Sequence, residues 1–184
     1  AGITINRGIV VDAHLRSNVP NVYAAGDIAE GLDLITGQPA VHAIEPTAME
    51  HGRIAGANMA GQPLVYRGSL LMNIVEVLGL EIASFGAWES QTEDVMSTLK
   101  PERPAYRKLL WQDDRLIGAM LLGPEKDVWT TNDVGMLKGL VQSGTPLGAW
   151  KAYLQQHPFD IKKAFIASGT TARPKAVVWT GSNC

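Results

Sequence analysis

The stretch Asn21-Val22-Tyr23-Ala24-Ala25-Gly26-Asp27 constrains this chain more than any other. A short apolar run of β-forming character closes on two alanines, a glycine and a carboxylate. Such a run is expected as a buried strand, and open α/β sheets meet their ligands at the carboxyl ends of their strands. Gly26 has no Cβ, so a ligand or another backbone can come close to it. Asp27 offers acceptor oxygens to hydroxyl or amide donors. The plainer role is that Asp27 caps the helix that follows, and for an isolated Gly-Asp pair that reading has the advantage.

Around this stretch the chain reads as short elements. Ile3-Thr4-Ile5 and Ile9-Val10-Val11 suggest two strands joined by a hairpin-type turn at Asn6-Arg7-Gly8. Ala13 to Asn21 reads as an extended connection. The segment after Asp27, with Gly31, Gly37 and Pro39, reads as an exposed loop. Pro46 suits the first turn of a helix, so a helix is expected from Glu45 or Pro46 to Ala60, ended by Gly61 with Pro63 beyond. Ala48, Gly52, Gly56 and Ala60 fall four apart on that helix. Two interior glycines cost about 1 kcal/mol each relative to alanine, which implies close approach to a sheet or another helix. Glu50, His51 and Arg53 rule out a membrane-type glycine motif there.

Leu64 to Ser69 reads as a domain boundary. Leu70 to Val77 and Glu81 to Ala87 follow as strands joined at Leu78-Gly79-Leu80, and Gln91 to Lys100 as a short helix or a loop. Tyr106 to Trp111 and Leu116 to Leu122 form a hairpin that should bury Leu109 and Trp111 and leave Arg107 near its edge. Three helices close the chain. The first is capped by Thr131 or Asn132, carries Val134, Leu137, Leu140 and Val141 on one face, and stops at Ser143-Gly144. The second runs from Leu147 to His157, and a short third starts at Pro158 with Ile161 and Phe165. From Ser168 onward the chain reads as a tail, mobile or docked on a partner.

Composition enters mainly to exclude. A formal net charge of -2 gives no footprint for nucleic acid or for an acidic membrane surface. The single cysteine, Cys184, rules out an internal disulfide and a Cys-x-x-Cys redox pair, and makes a reducing cytoplasm the default compartment. The most apolar stretch, Leu70 to Trp88, contains Asn73, Glu76 and Glu81 and does not read as a membrane span. His14, His42, His51 and His157 fit no metal-ligand spacing, and no catalytic side chain is singled out. The five tryptophans read as core or interface residues.

Three pieces taken together carry a family likeness: Gly8-Ile9-Val10-Val11-Asp12, Arg16-Ser17-Asn18-Val19-Pro20 and Val22-Tyr23-Ala24-Ala25-Gly26-Asp27. They resemble the second FAD-binding motif of the pyridine nucleotide-disulfide oxidoreductase superfamily, in its rubredoxin reductase and nitrite reductase large-subunit branch. Tyr66-Arg67-Gly68-Ser69-Leu70 and Gly135-Met136-Leu137-Lys138-Gly139-Leu140 extend the likeness more loosely. The resemblance implies that Asp27 hydrogen-bonds the ribityl chain of FAD. It also implies that the helix start at Glu45, Pro46, Thr47 and Ala48 faces the pyrimidine end of the isoalloxazine ring. Pro46 has no N–H, which leaves Thr47 and Ala48 as the better donors, and a helix N-terminus suits a reduced flavin anion.

The implied fold is α+β / α/β. Residues 1–65 would be the C-terminal remnant of a FAD-binding Rossmann-like domain. Residues 66–167 would form a small α+β domain with antiparallel hairpins and C-terminal helices, followed by the tail at 168–184. No Gly-x-Gly-x-x-Gly unit between a strand and a helix is present, so the pyrophosphate cradle and the nicotinamide domain are expected elsewhere. The chain, opening on Ala1, is thus expected to be a fragment of a longer FAD-dependent NAD(P)H oxidoreductase, inactive alone and binding FAD weakly or not at all. The parent would pass electrons to an acceptor protein or metal centre. A reading of another class makes residues 66–167 an interaction or dimerisation module that docks a redox partner, or a second copy, through aromatics such as Trp129 and Trp150.

Overall fold

The computed structural model describes residues 2–89, 94–100, 102, 104–125 and 127–169, with residues 128–131 described by their backbone alone. The chain divides into two compact units, Ala1–Met72 and Asn73–Cys184. Leu64 to Leu70 belongs to the first unit, where Tyr66 and Leu70 are buried. Among the described residues no helix is long and apolar enough to cross a membrane.

In the first unit, β1 (Ile9–Val10) pairs in parallel with β2 (Ala29–Leu32), and β2 pairs antiparallel with β3 (Pro39–Ala40). The expected first strand reduces to a single bridge, Ile5 to Ile9, with the Val10 N–H on the Thr4 carbonyl. Val22 to Ala25 is not a regular strand. It makes one bridge, Tyr23 to Arg16, because Leu15 and Asn21 turn the backbone left-handed (φ 61° and 64°) on the two sides of that pairing. The segment after Asp27, expected as an exposed loop, instead enters β2 with Ala29, Glu30 and Gly31 buried. Gly31 is required there: a Cβ would come within 2.8 Å of Tyr66 Cε1.

The helix expected from Pro46 is α1 (Glu45–Met59). Thr47, His51, Ile54, Ala55 and Asn58 form its buried face, at the spacing of one helical stripe. Ile54 and Ala55 pack with Leu15 and Tyr66 in a core flanked by Val11, Tyr23, Ala25 and Leu64. The glycine stripe faces the other way. Gly52 and Gly56 are exposed, and a Cβ on either would meet no atom within 4 Å, so the expected close approach does not occur among the described residues. At the C-terminus the Gly61 N–H reaches the Asn58 carbonyl and the Gln62 N–H the Ala57 carbonyl, with Gly61 at φ 78°. That pair of bonds satisfies two carbonyls the helix leaves open.

The second unit is built on a five-stranded sheet in the order β4-β5-β8-β7-β6. Its strands are β4 (Met72–Val77), β5 (Leu80–Gly86), β6 (Val95–Lys100), β7 (Ala105–Gln112) and β8 (Arg115–Pro124). Residues 95–100, expected as helix or loop, pair residue for residue with β7, from Val95 opposite Leu110 to Lys100 opposite Ala105; residues 91–93 lie outside the described set. The β7–β8 hairpin turns through Asp113, whose φ of 56° fits a tight connection. Leu109 and Trp111 are buried as expected, but so is Arg107. Its guanidinium donates to the Tyr106 and Leu122 carbonyls and pairs with Asp133 at 3.0 Å.

Three helices complete this unit: α2 (Val128–Ser143), α3 (Ala149–Gln156) and α4 (Ile161–Ala167). The first begins ahead of the expected caps Thr131 and Asn132, and it buries the anticipated face of Val134, Leu137, Leu140 and Val141. The last begins three residues after Pro158 and buries Ile161 and Ala164. Trp150 is half-buried and meets Tyr153 edge to face at 5.3 Å; the side chain of Trp129 and the tail beyond residue 169 lie outside the described set.

Candidate functional site

Gly26 and Asp27 open a three-residue 3-10 turn, Gly26–Ile28. Gly26 is left-handed at φ 71°, a conformation open to a residue without Cβ, and a Cβ there would already touch the Ala48 methyl at 3.4 Å. Asp27 does not cap a helix. The turn is preceded by Ala25, the next α-helix starts at Glu45 behind Ile44, and neither cap uses a side chain. The Asp27 carboxylate is exposed, and among the described residues it makes no hydrogen bond or ion pair.

The start of α1 packs beside this turn, with Ala48 against Gly26. Glu45 and Pro46 are exposed, Thr47 is buried and Ala48 is half-buried. The Ala48 N–H is committed to the Ile44 carbonyl at 3.0 Å, so it is not a free donor. The amides of Glu45 and Thr47 have no acceptor among the described residues, and Ile44 brings no side-chain oxygen to cover them. Two unpaired amides at the positive end of a helix, near a free carboxylate, make an edge that can donate to carbonyls and accept from hydroxyls. Thr47 itself is anchored from below, its hydroxyl donating to Ser69 Oγ at 3.2 Å.

Beneath lies a set of buried polar groups that sequence reasoning passed over. His51, one turn after Thr47, accepts the Gly26 N–H on Nδ1 at 3.3 Å. Its ring meets Tyr66 in a T-shape, centroids 4.5 Å apart. His42 Nε2 pairs with Asp33 Oδ2 at 2.9 Å. Burial alone would raise the Asp33 carboxyl, but hydrogen bonds from His42, from Thr36 and from the Ile35 amide outweigh it and bring it to about 2. Burial, and then the charge of His42, hold His51 below its ordinary value. Burial likewise pushes the Tyr66 phenol up. The only advance signal was that His51 and Thr47 share one helix stripe. His42, Glu45 and His51 do not converge on a metal: among the described residues no cluster of three or more His, Cys, Asp or Glu could hold one.

Comparison with known proteins matches each unit separately. The pyridine nucleotide-disulphide oxidoreductase family matches residues 1–55, and the rubredoxin NAD+ reductase C-terminal domain matches residues 72–135. These two partial matches support a protein of the pyridine nucleotide-disulphide oxidoreductase type. The chain is 27% identical over 165 residues to the nitrite reductase [NAD(P)H] of Bacillus subtilis, covering 81% of this chain and 20% of that protein. It is 30% identical over 119 residues to the NADH-rubredoxin oxidoreductase of Clostridium acetobutylicum, covering 65% and 27%. In fold it resembles a FAD-dependent pyridine nucleotide-disulphide oxidoreductase from Desulfovibrio vulgaris, with a TM-score of 0.70 and 17% identity over 91% of this chain and 44% of that one. The chain thus spans less than half the length of each of these proteins.

Proposed function

We propose that the chain forms part of a FAD-dependent NAD(P)H oxidoreductase that passes electrons to an acceptor protein or metal centre. The observation that carries this reading is the pair of unpaired amides, Glu45 and Thr47, at the start of α1 beside the Gly26–Asp27 turn. These residues suit a flavin. The exposed Asp27 carboxylate would accept from hydroxyls of the ribityl chain, and left-handed Gly26, without a Cβ, would leave room for it. The Glu45 and Thr47 amides would donate to the carbonyl edge of the ring, and the helix end would favour negative charge there. Pro46 presents no N–H and fixes the first turn, while Ala48 closes the contact with Gly26. Bound FAD would supply the redox chemistry, accepting hydride from NAD(P)H and releasing electrons one or two at a time.

The acceptor follows by analogy with the family. The named relatives reduce nitrite or rubredoxin, so a redox protein or domain is the partner we propose, with a second copy of the chain as a further partner. A reducing compartment such as the cytoplasm suits both the nicotinamide donor and the single cysteine.

The test is Asp27→Ala in the full-length protein that carries this chain, with FAD affinity read by quenching of flavin fluorescence. A hydrogen bond to a charged group contributes about 1.5–3 kcal/mol, so affinity is expected to drop roughly 10- to 100-fold. Wild-type affinity in the variant overturns the assignment of Asp27.

A further inference from the structure

We propose that His51 is a positioning residue for the Gly26–Asp27 turn, holding it through the neutral imidazole and releasing it when the ring is protonated. A backbone N–H can only donate, so the 3.3 Å contact from Gly26 makes Nδ1 the acceptor and puts the ring proton on Nε2. This is the one tautomer the surroundings allow. His51 is 2% exposed, and among the described residues its Nε2 has no hydrogen-bond partner. Nε2 lies beside Gly31, where a Cβ would stand 3.6 Å from it. An imidazolium would turn a second donor toward the Gly26 N–H and leave a charge buried without a counter-ion.

The groups facing the ring reinforce this. From the segment after β3 comes His42, whose charge opposes a second cation. Asp33, after β2, is already engaged by His42 and by the Thr36 amide and hydroxyl. Tyr66 presents its ring, and Glu50 of α1 acts on Tyr66. None of them offers His51 a free carboxylate. Among the described residues the Gly26 amide therefore depends on His51 for its partner.

The sign of the pH effect follows. Folding disfavours the charged ring, so the unfolded chain takes up the proton first. Stability contributed by this contact is full above the ordinary histidine value of about 6.5 and falls as pH drops below it toward the folded midpoint.

The link to flavin rests on the function proposed above; the link between His51 and Gly26 does not. The test uses the 15N-labelled chain without cofactor. Imidazole 15N shifts are expected to report the Nε2–H tautomer, and the Gly26 amide resonance to move with the same midpoint as the His51 ring. In His51→Asn the side-chain carbonyl replaces Nδ1 as acceptor and does not titrate, so the Gly26 resonance should stay near its wild-type position and lose that midpoint. In His51→Leu the Gly26 amide should exchange at least tenfold faster. A Gly26 resonance that titrates alike in wild type and His51→Asn overturns the proposal, as does an Nδ1–H tautomer. In the full-length protein, FAD should be released in mild acid from wild type but not from His51→Asn. If Gly26 tracks His51 and yet FAD stays bound in acid, the positioning role stands and the flavin assignment of this turn fails.

Discussion

The two units of this chain are held together by different means. Among the described residues, the largest fully buried side chains of the second unit include Trp111, Phe85, Leu109, Leu110, Leu116, Leu121, Leu137, Leu140, Leu154 and Ile161, whereas the first unit contributes only Leu15 and Ile54 to that class. Buried polar groups are distributed the other way: Glu30, Asp33, His42, Thr47, His51, Asn58 and Ser69 lie in the first unit. Apolar burial is non-directional, so the second unit gains stability without fixing any one loop. A hydrogen bond adds only about 1 kcal/mol net, but it specifies an angle and a partner. Glu30 shows the use of this: it gathers Asn6 and the amides of Arg7 and Gly8, and so shapes the turn before β1. The unit that carries the candidate site has given up core size for defined loop geometry.

That contrast can be broken by substitution. The largest effect is expected from Phe85→Ala in β5, where a fully buried ring is removed at a cost of about 3–5 kcal/mol. Amide exchange should accelerate through the sheet and α2 while β1, β2 and α1 keep their protection; equal loss in both units would show that they are one cooperative body. Next comes Asn58→Ala. Asn58 donates to the carbonyls of His14 and Leu64 and accepts the Leu64 N–H, so its loss strands the His14 carbonyl and the Leu64 N–H, while the Leu64 carbonyl keeps His14 Nδ1 at 3.0 Å. We expect roughly 1–3 kcal/mol, read as faster exchange at Leu64, with the second unit unaffected. The smallest effect sharpens the comparison from the other side. Gly52→Ala and Gly56→Ala fill open space on the exposed face of α1 and should each stabilise by about 0.4–1 kcal/mol, seen as a higher Tm. A lower Tm would mean that something packs closely on that face.

What could be read from sequence was what is encoded locally. Pro46 and Gly61 bracket α1, and two strands closing on Asp113 and Asp114 announce the β7–β8 hairpin, because each signal acts within a few residues. β2 was missed for the opposite reason. Ala29-Glu30-Gly31-Leu32 contains little that favours a strand; its extended form comes from pairing with β1 and from the contacts of Glu30 to residues far back in the chain. β6 was missed because an edge strand needs no apolar alternation on its exposed side. Beside the candidate site, the start of α1 was legible from Pro46, while the roles of Gly26 and Asp27 rest on the motif. Their anchor, His51, was not, since a histidine on a helix face does not announce which backbone amide it will receive. Arg107 was misjudged in the same way, its partner Asp133 lying on a helix beyond the hairpin.

The strand order of the second unit also sets a timetable for folding. β7 and β8 meet through a two-residue turn, and β6 reaches β7 through a short connection, so these three strands close with little loss of chain entropy. β5 pairs not with its successor but with β8, bringing Gly86 opposite Gly118 across the whole intervening hairpin. That closure is non-local and becomes worthwhile only once β8 is in place to receive it. The β4–β5 hairpin is therefore expected to join the sheet last and to open first, with amides of β4 and β5 exchanging ahead of those of β7 and β8.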